Sequence, residues 1–130
     1  MSQHTVRVLD VGQCNPDHTA IATLLKNEFG AVVDRAAGYE QIQHMIGFYD
    51  YDLILVNRIL DADGSEGLVL IEQLKTDDAT RAVPVMMVSN FADAQAEAQA
   101  SGAVLGFGKN ALSDPATVAQ LRPYLASGSG

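Results

Sequence analysis

The most apolar run of the chain, Leu53-Ile54-Leu55-Val56, carries no polar alternation. A strand with one face in water alternates; a strand without alternation is buried on both faces, as in a parallel sheet covered by helices. Parallel neighbours cannot be joined by tight hairpins and need crossovers of about a dozen residues or more. This run therefore commits the chain to strands alternating with helices, and the flanking sequence supplies them.

Val6 to Val11 reads as a first strand. Asn15-Pro16-Asp17 marks a helix start, with Asn15 as the capping side chain and proline tolerated in the first turn. Ile21, Leu24, Leu25 and Phe29 then recur at helical spacing until Gly30 stops the helix. Ala31-Val32-Val33 predicts a short second strand, and Tyr39 to Ile46 a second helix ending at Gly47. Ser65 is placed to cap a third helix through Leu68, Ile71 and Leu74. Val83 to Val88 is a fourth strand with Pro84 at its entry, where a lost donor matters least. Asn90 is expected to cap a helix from Phe91 to Ala100. Its alternation of Ala and polar residues mimics a strand, but alanine is the best helix former. Gly102 breaks that helix, Ala103 to Phe107 makes a fifth strand, and Ser113-Asp114-Pro115 opens a last helix that Pro123 should end or kink. Residues 1–126 read as one domain, and residues 127–130 as a flexible tail or linker.

Five strands alternating with five helices predict a doubly wound α/β domain built on a five-stranded parallel sheet. Right-handed crossovers put helices on both faces, and function sits at the carboxyl ends of the strands. Composition narrows the partners. Sixteen acidic against eight basic residues give a net charge of −8, which repels phosphate backbones and anionic lipids, so neither nucleic acid nor membrane is expected as a partner. No apolar run approaches the roughly 20 residues of a membrane span, and no signal stretch opens the chain. The single cysteine, Cys14, excludes an internal disulfide and a multi-cysteine zinc site. The expectation is an acidic, cytoplasmic domain.

Three segments carry a resemblance. Tyr51 to Val56 looks like the third strand of the receiver domain of bacterial response regulators. Leu74 to Val85, with Val83-Pro84-Val85 at its end, is similar to the approach to that family's fourth strand. Gly102-Ala103 followed by Gly108-Lys109 resembles its fifth strand and terminal lysine. The resemblance spans nearly the whole chain and implies the CheY-like, flavodoxin-like sheet order 2-1-3-4-5. It also implies a signalling role in a two-component or phosphorelay pathway. Receivers phosphorylate themselves on an aspartate after the third strand, using magnesium held by two acids after the first. A hydroxyl after strand four and a lysine after strand five bind the phosphoryl oxygens.

Matched residue by residue, this chain departs from that set. The phosphoacceptor position is Asn57, whose neutral amide cannot form an acyl phosphate. The spacing back from Gly30 puts Gln13 and Cys14 where the acid pair belongs. Ser89 fits the hydroxyl position, Lys109 the lysine, and the aromatic switch position falls on Gly106. Asn110 stands where the family usually has a cis proline. The resemblance therefore implies a pseudo-receiver with no enzymatic activity, no cofactor and no magnesium, acting as a phosphorylation-independent protein-interaction module. A histidine kinase or a signalling output domain would be its partner. An active phosphoreceiver using Asp10 or Asp61 is one alternative. A small-anion or ligand sensor is another, because Asn57, Gln13, Cys14, Ser89 and Lys109 sum to one positive charge.

Lys109 is otherwise expected to pair with Asp61 or Asp63, or to be solvated. Cys14 and His18, four apart, read as a small loop residue and an exposed helix histidine rather than a metal site. Asp61 to Glu66 briefly resembles a calcium loop but lacks its closing bidentate acid. Val104, Leu105 and Phe107 on the edge strand are a candidate interaction surface, and with the last helix a candidate homodimer contact.

Overall fold

A computed structural model describes residues 4–126; the tail assigned to residues 127–130 lies outside the described residues. Five strands, β1 (Arg7–Val11), β2 (Val32–Ala36), β3 (Leu53–Asn57), β4 (Val85–Val88) and β5 (Val104–Phe107), form one parallel sheet. Its order is β2-β1-β3-β4-β5, as expected. The crossovers are α1 (Asn15–Phe29), α2 (Tyr39–Met45), α3 (Gly67–Thr76) and α4 (Ala92–Ala100), with α5 (Pro115–Leu125) after β5 and a 3-10 turn at Lys109–Ala111.

The pleat sorts each strand's side chains into two cores. Leu9, Val11, Ile54, Val56, Val85 and Met87 pack under Ile42 of α2 and Leu70, Ile71 and Leu74 of α3. Val8, Leu53, Leu55, Met86, Val88 and Phe107 pack under Ile21 and Leu25 of α1 and Leu121 and Leu125 of α5. All four residues of the Leu53–Val56 run are fully buried, split between the two faces. That is why the run shows no alternation.

Several element ends differ from expectation, each for a local reason. β2 runs on to Ala36 because Arg7, Leu9 and Val11 hold a ladder with Val32, Asp34 and Ala36. Asn15 is inside α1; Cys14 occupies the cap position and makes no side-chain capping bond. Ser65 turns back to Asp63, donating its hydroxyl at 2.6 Å, and α3 begins at Gly67 after Glu66. Phe91, not Asn90, precedes α4, and its N–H is taken by the Ser89 hydroxyl at 3.1 Å. Asn90 instead accepts from the Asn110 N–H across the sheet end. Pro123 does not end α5, which runs to Leu125 with Ala126 N–H bonded to Arg122 O. Two expected signals hold: Asp114 caps α5 through Ala116 N–H, and Gly30 closes α1 in the left-handed conformation at φ 64°.

Candidate functional site

Asn57 ends β3, Ser89 follows β4 and Lys109 follows β5, so parallel pairing brings all three to the carboxyl edge of the sheet. They line one open depression of about 260 Å³ together with Arg58, Asn90 and Phe91. Asn57 Nδ2 donates to Gly12 O at 3.1 Å, a bond that a carboxylate could not make. The Ser89 hydroxyl is engaged by the α4 entry. Arg58 lies 5.2 Å over the Phe91 ring and has no carboxylate partner among the described ion pairs.

Lys109 pairs with neither Asp61 nor Asp63. Its Nζ lies 2.7 Å from Asp17 Oδ2, in the first turn of α1. The Cys14 thiol donates to the same oxygen at 3.1 Å. The Lys109 bond first, and the Cys14 bond second, hold the Asp17 carboxyl below its ordinary value. Asp17 thus cancels the single positive charge expected of this group, and the uncompensated cation at the depression is Arg58. Cys14 joins the group through Asp17, while Gln13 does not line the depression. Gln13 is 2% exposed, and its amide atoms have no hydrogen-bond partner among the described residues. Its backbone borders a neighbouring cavity, with the Arg35 guanidinium donating to Gln13 O at 2.9 Å.

Asp10 lies one pleat beyond Val8 in β1, on the sheet face that α1 covers, and is fully buried. His18, expected on the surface, turns inward and places Nδ1 2.7 Å from Asp10 Oδ2. Burial pushes the Asp10 carboxyl up to about 6, against the opposing influence of His18 and Arg35. Asp61 is exposed on the β3–α3 loop, its N–H bonded to Gly12 O. His4 meets Asp52 at 2.7 Å, and His44 packs edge-on against Phe48. Among the described residues, no group of three or more His, Cys, Asp or Glu side chains is arranged to hold a metal ion.

At Gly106, an added Cβ would press into Met87 O of the neighbouring strand. The space beside it holds the buried Gln95 of α4, which donates to Met87 O at 2.9 Å and Ser89 O at 3.1 Å and accepts from Gly106 N–H at 2.9 Å. Sequence reading missed Gln95, since it is one of several polar residues spaced between alanines.

The edge surface also needs correction. Phe107 is buried in the core under α1 and α5, and Val104 is half-buried against that core, leaving only Leu105 exposed, at 49%. Gln120 of α5 donates to Leu105 O and Gly106 O, covering carbonyls that an added strand would need.

No model of a protein family and no curated protein matches the sequence. Solved structures do match. The signal receiver domain of the DNA-binding response regulator merR from Colwellia psychrerythraea 34H superposes with a TM-score of 0.74 at 18% identity, over 91% of this chain and 96% of that one. A response regulator from Thermotoga maritima gives 0.74 at 19%, over 94% and 98%. A two-component response regulator from Clostridium difficile gives 0.70 at 21%, over 93% and 96%. The chain has the receiver fold of two-component response regulators. No helix among the described residues is long and apolar enough to cross a membrane.

Proposed function

We propose that this domain is a pseudo-receiver: a receiver fold that takes no phosphate at the standard position and serves two-component or phosphorelay signalling by binding another protein. The observation that carries this reading is Asn57, an amide at the phosphoacceptor position whose N–H already serves Gly12 O. Among the described residues, no side chain lining this depression replaces the missing acids. Gln13 is turned away, Cys14 donates to Asp17, and Asp17 is held by Lys109. This donor set does not fit magnesium, which takes several oxygen ligands and favours ionised carboxylates. Asp10, buried against His18, is poorly placed as a substitute acceptor. The domain is on this reading not an enzyme and needs no cofactor. A cytoplasmic histidine kinase or signalling output domain is its partner, and any self-association through β5 and α5 uses Leu105 and helix side chains rather than an added strand.

Intact-mass spectrometry after incubation with acetyl phosphate and Mg²⁺ tests the reading. The native chain is expected to stay unmodified, and an Asn57→Asp, Cys14→Asp variant to gain one phosphoryl group. Phosphorylation of the native chain would overturn the proposal, and the modified residue would identify the true acceptor. Arg58 supports a second reading, a small anion held in the same depression. Saturable sulfate binding that Arg58→Gln abolishes would favour it.

A further inference from the structure

The cavity beside the Asn57 depression has an unusual charge arrangement. It is a half-open depression of about 230 Å³ between the ends of β1 and β2, the start of α2 and the β3–α3 loop. The sheet order reverses between β1 and β3, and this cavity lies beside the crevice at that point, on its β2 side. Arg35 of β2 and Asp61 of the β3–α3 loop both line this cavity. Both are exposed, and they do not pair with each other or with another charged side chain among the described ion pairs. Opposite charges that share one small cavity without closing on each other leave a dipole open to a ligand.

Neighbouring backbone groups hold both charges in place. Arg35 Nη2 donates to Gln13 O at 2.9 Å, which leaves its other N–H groups free. Asp61 N–H donates to Gly12 O at 2.9 Å, fixing the loop that carries the carboxylate. Gln41, on the same cavity, accepts from Ala37 N–H at 2.6 Å, which orients its amide and leaves its NH₂ as a donor. The site is smaller than the roughly 300–1,000 Å³ of sites for drug-sized ligands, so its occupant has few heavy atoms.

We propose that this cavity binds a small zwitterion, a free α-amino acid, with its carboxylate on Arg35 and its ammonium on Asp61. A guanidinium matches a carboxylate with two parallel N–H bonds, and a carboxylate matches an ammonium as a charge-assisted acceptor. The Gln41 NH₂ is a further donor to the ligand carboxylate. Binding here would tie β2 to the β3–α3 loop, next to the Asn57 depression, independently of any phosphoryl chemistry.

Isothermal titration of the full chain with glycine, L-alanine and L-glutamine tests the proposal, with glycinamide and N-acetylglycine as ligands lacking one charge. At least one amino acid should bind saturably, and both single-charge ligands about tenfold or more weakly. Arg35→Gln and Asp61→Asn should each weaken binding by about tenfold or more, and Arg35→Lys by less than Arg35→Gln. Because Arg35 also tethers Gln13, circular dichroism melts accompany its variants. Asp61 makes no side-chain hydrogen bond among those described, so Asp61→Asn tests the site even if Arg35→Gln unfolds. No saturable heat up to about 10 mM amino acid, equal binding of glycinamide, or binding indifferent to Asp61→Asn would overturn the proposal. Amino-acid binding is titrated on the native chain without acetyl phosphate or Mg²⁺, so failure here leaves the phosphorylation test of the pseudo-receiver reading standing and is distinguishable from its failure.

Discussion

Replacing Gln95 by leucine is expected to lower the stability of the domain by about 3–5 kcal/mol, although the two side chains are similar in volume. The Gln95 amide is buried and serves Met87 O, Ser89 O and Gly106 N–H at once. Those backbone groups lie on the β4–β5 seam, where the ladder shifts register between Met86 and Val88 and cannot satisfy them itself. Each group left without a partner costs about 1–3 kcal/mol, and the added apolar burial of leucine offsets only part of that. Gly106→Ala attacks the same seam from the other side, because its Cβ would push against Met87 O with the Gln95 amide alongside. The two changes share one set of contacts, so the double variant should cost clearly less than the sum of the singles. Urea unfolding midpoints measure this. A loss below about 1 kcal/mol for Gln95→Leu, or strict additivity, would mean that other contacts hold the seam.

This seam also bears on the proposed signalling role. The receiver resemblance implies an aromatic switch at the Gly106 position, and a switch needs an element with two arrangements. Here the position has no side chain, and an α4 side chain binds both strands beside it. Gly106→Tyr is therefore expected to disrupt the fold rather than to restore a switch.

The fold was legible because it follows from patterns that burial imposes. A strand buried on two faces must be aliphatic throughout, and Leu53–Val56 is. Helix faces must recur at 3.6 residues, as Ile21 and Leu25 do under α1. The positions of Asn57, Ser89 and Lys109 were legible for the same reason: each follows a strand, and parallel pairing aligns strand ends. What those side chains bond to was not legible. Asp17, rather than either loop acid, meets Lys109 because the Lys109 side chain reaches the first turn of α1 at the carboxyl end of the sheet, a tertiary fact with no local signature. Helix position alone predicts an exposed His18. It faces inward because Asp10, one pleat beyond Val8 on the same sheet face, is a buried carboxylate that needs a partner. Phe107 looked like edge surface, yet its side chain faces the α1 and α5 core, and only Leu105 faces out.

Asp10→Asn is expected to make the domain more stable at neutral pH, by up to about 3 kcal/mol, and to change its response to acid. Burial raises the folded-state carboxyl from 3.8 to about 6, so between those values the folded chain holds a proton that the unfolded chain releases. The contribution of this group is fully present below about pH 3.8 and is lost as the pH rises through about 6. Across that window the loss is about 1.4 kcal/mol for each pH unit. Asparagine cannot ionise, and its amide oxygen still accepts from His18 Nδ1. The stability of the variant minus that of the native chain should therefore rise between about pH 4 and pH 7. Asp17 and Asp77, whose carboxyls are held low by their bonded partners, act in the opposite sense, with stability lost on acidification. They are present in both proteins and cancel in the difference. Urea melts at several pH values across that window give the difference directly. A flat difference would mean that His18 of α1 and Arg35 of β2 together offset the burial of the carboxylate. Asp10 would then be a fully paired structural acid rather than one the fold holds ionised at a cost.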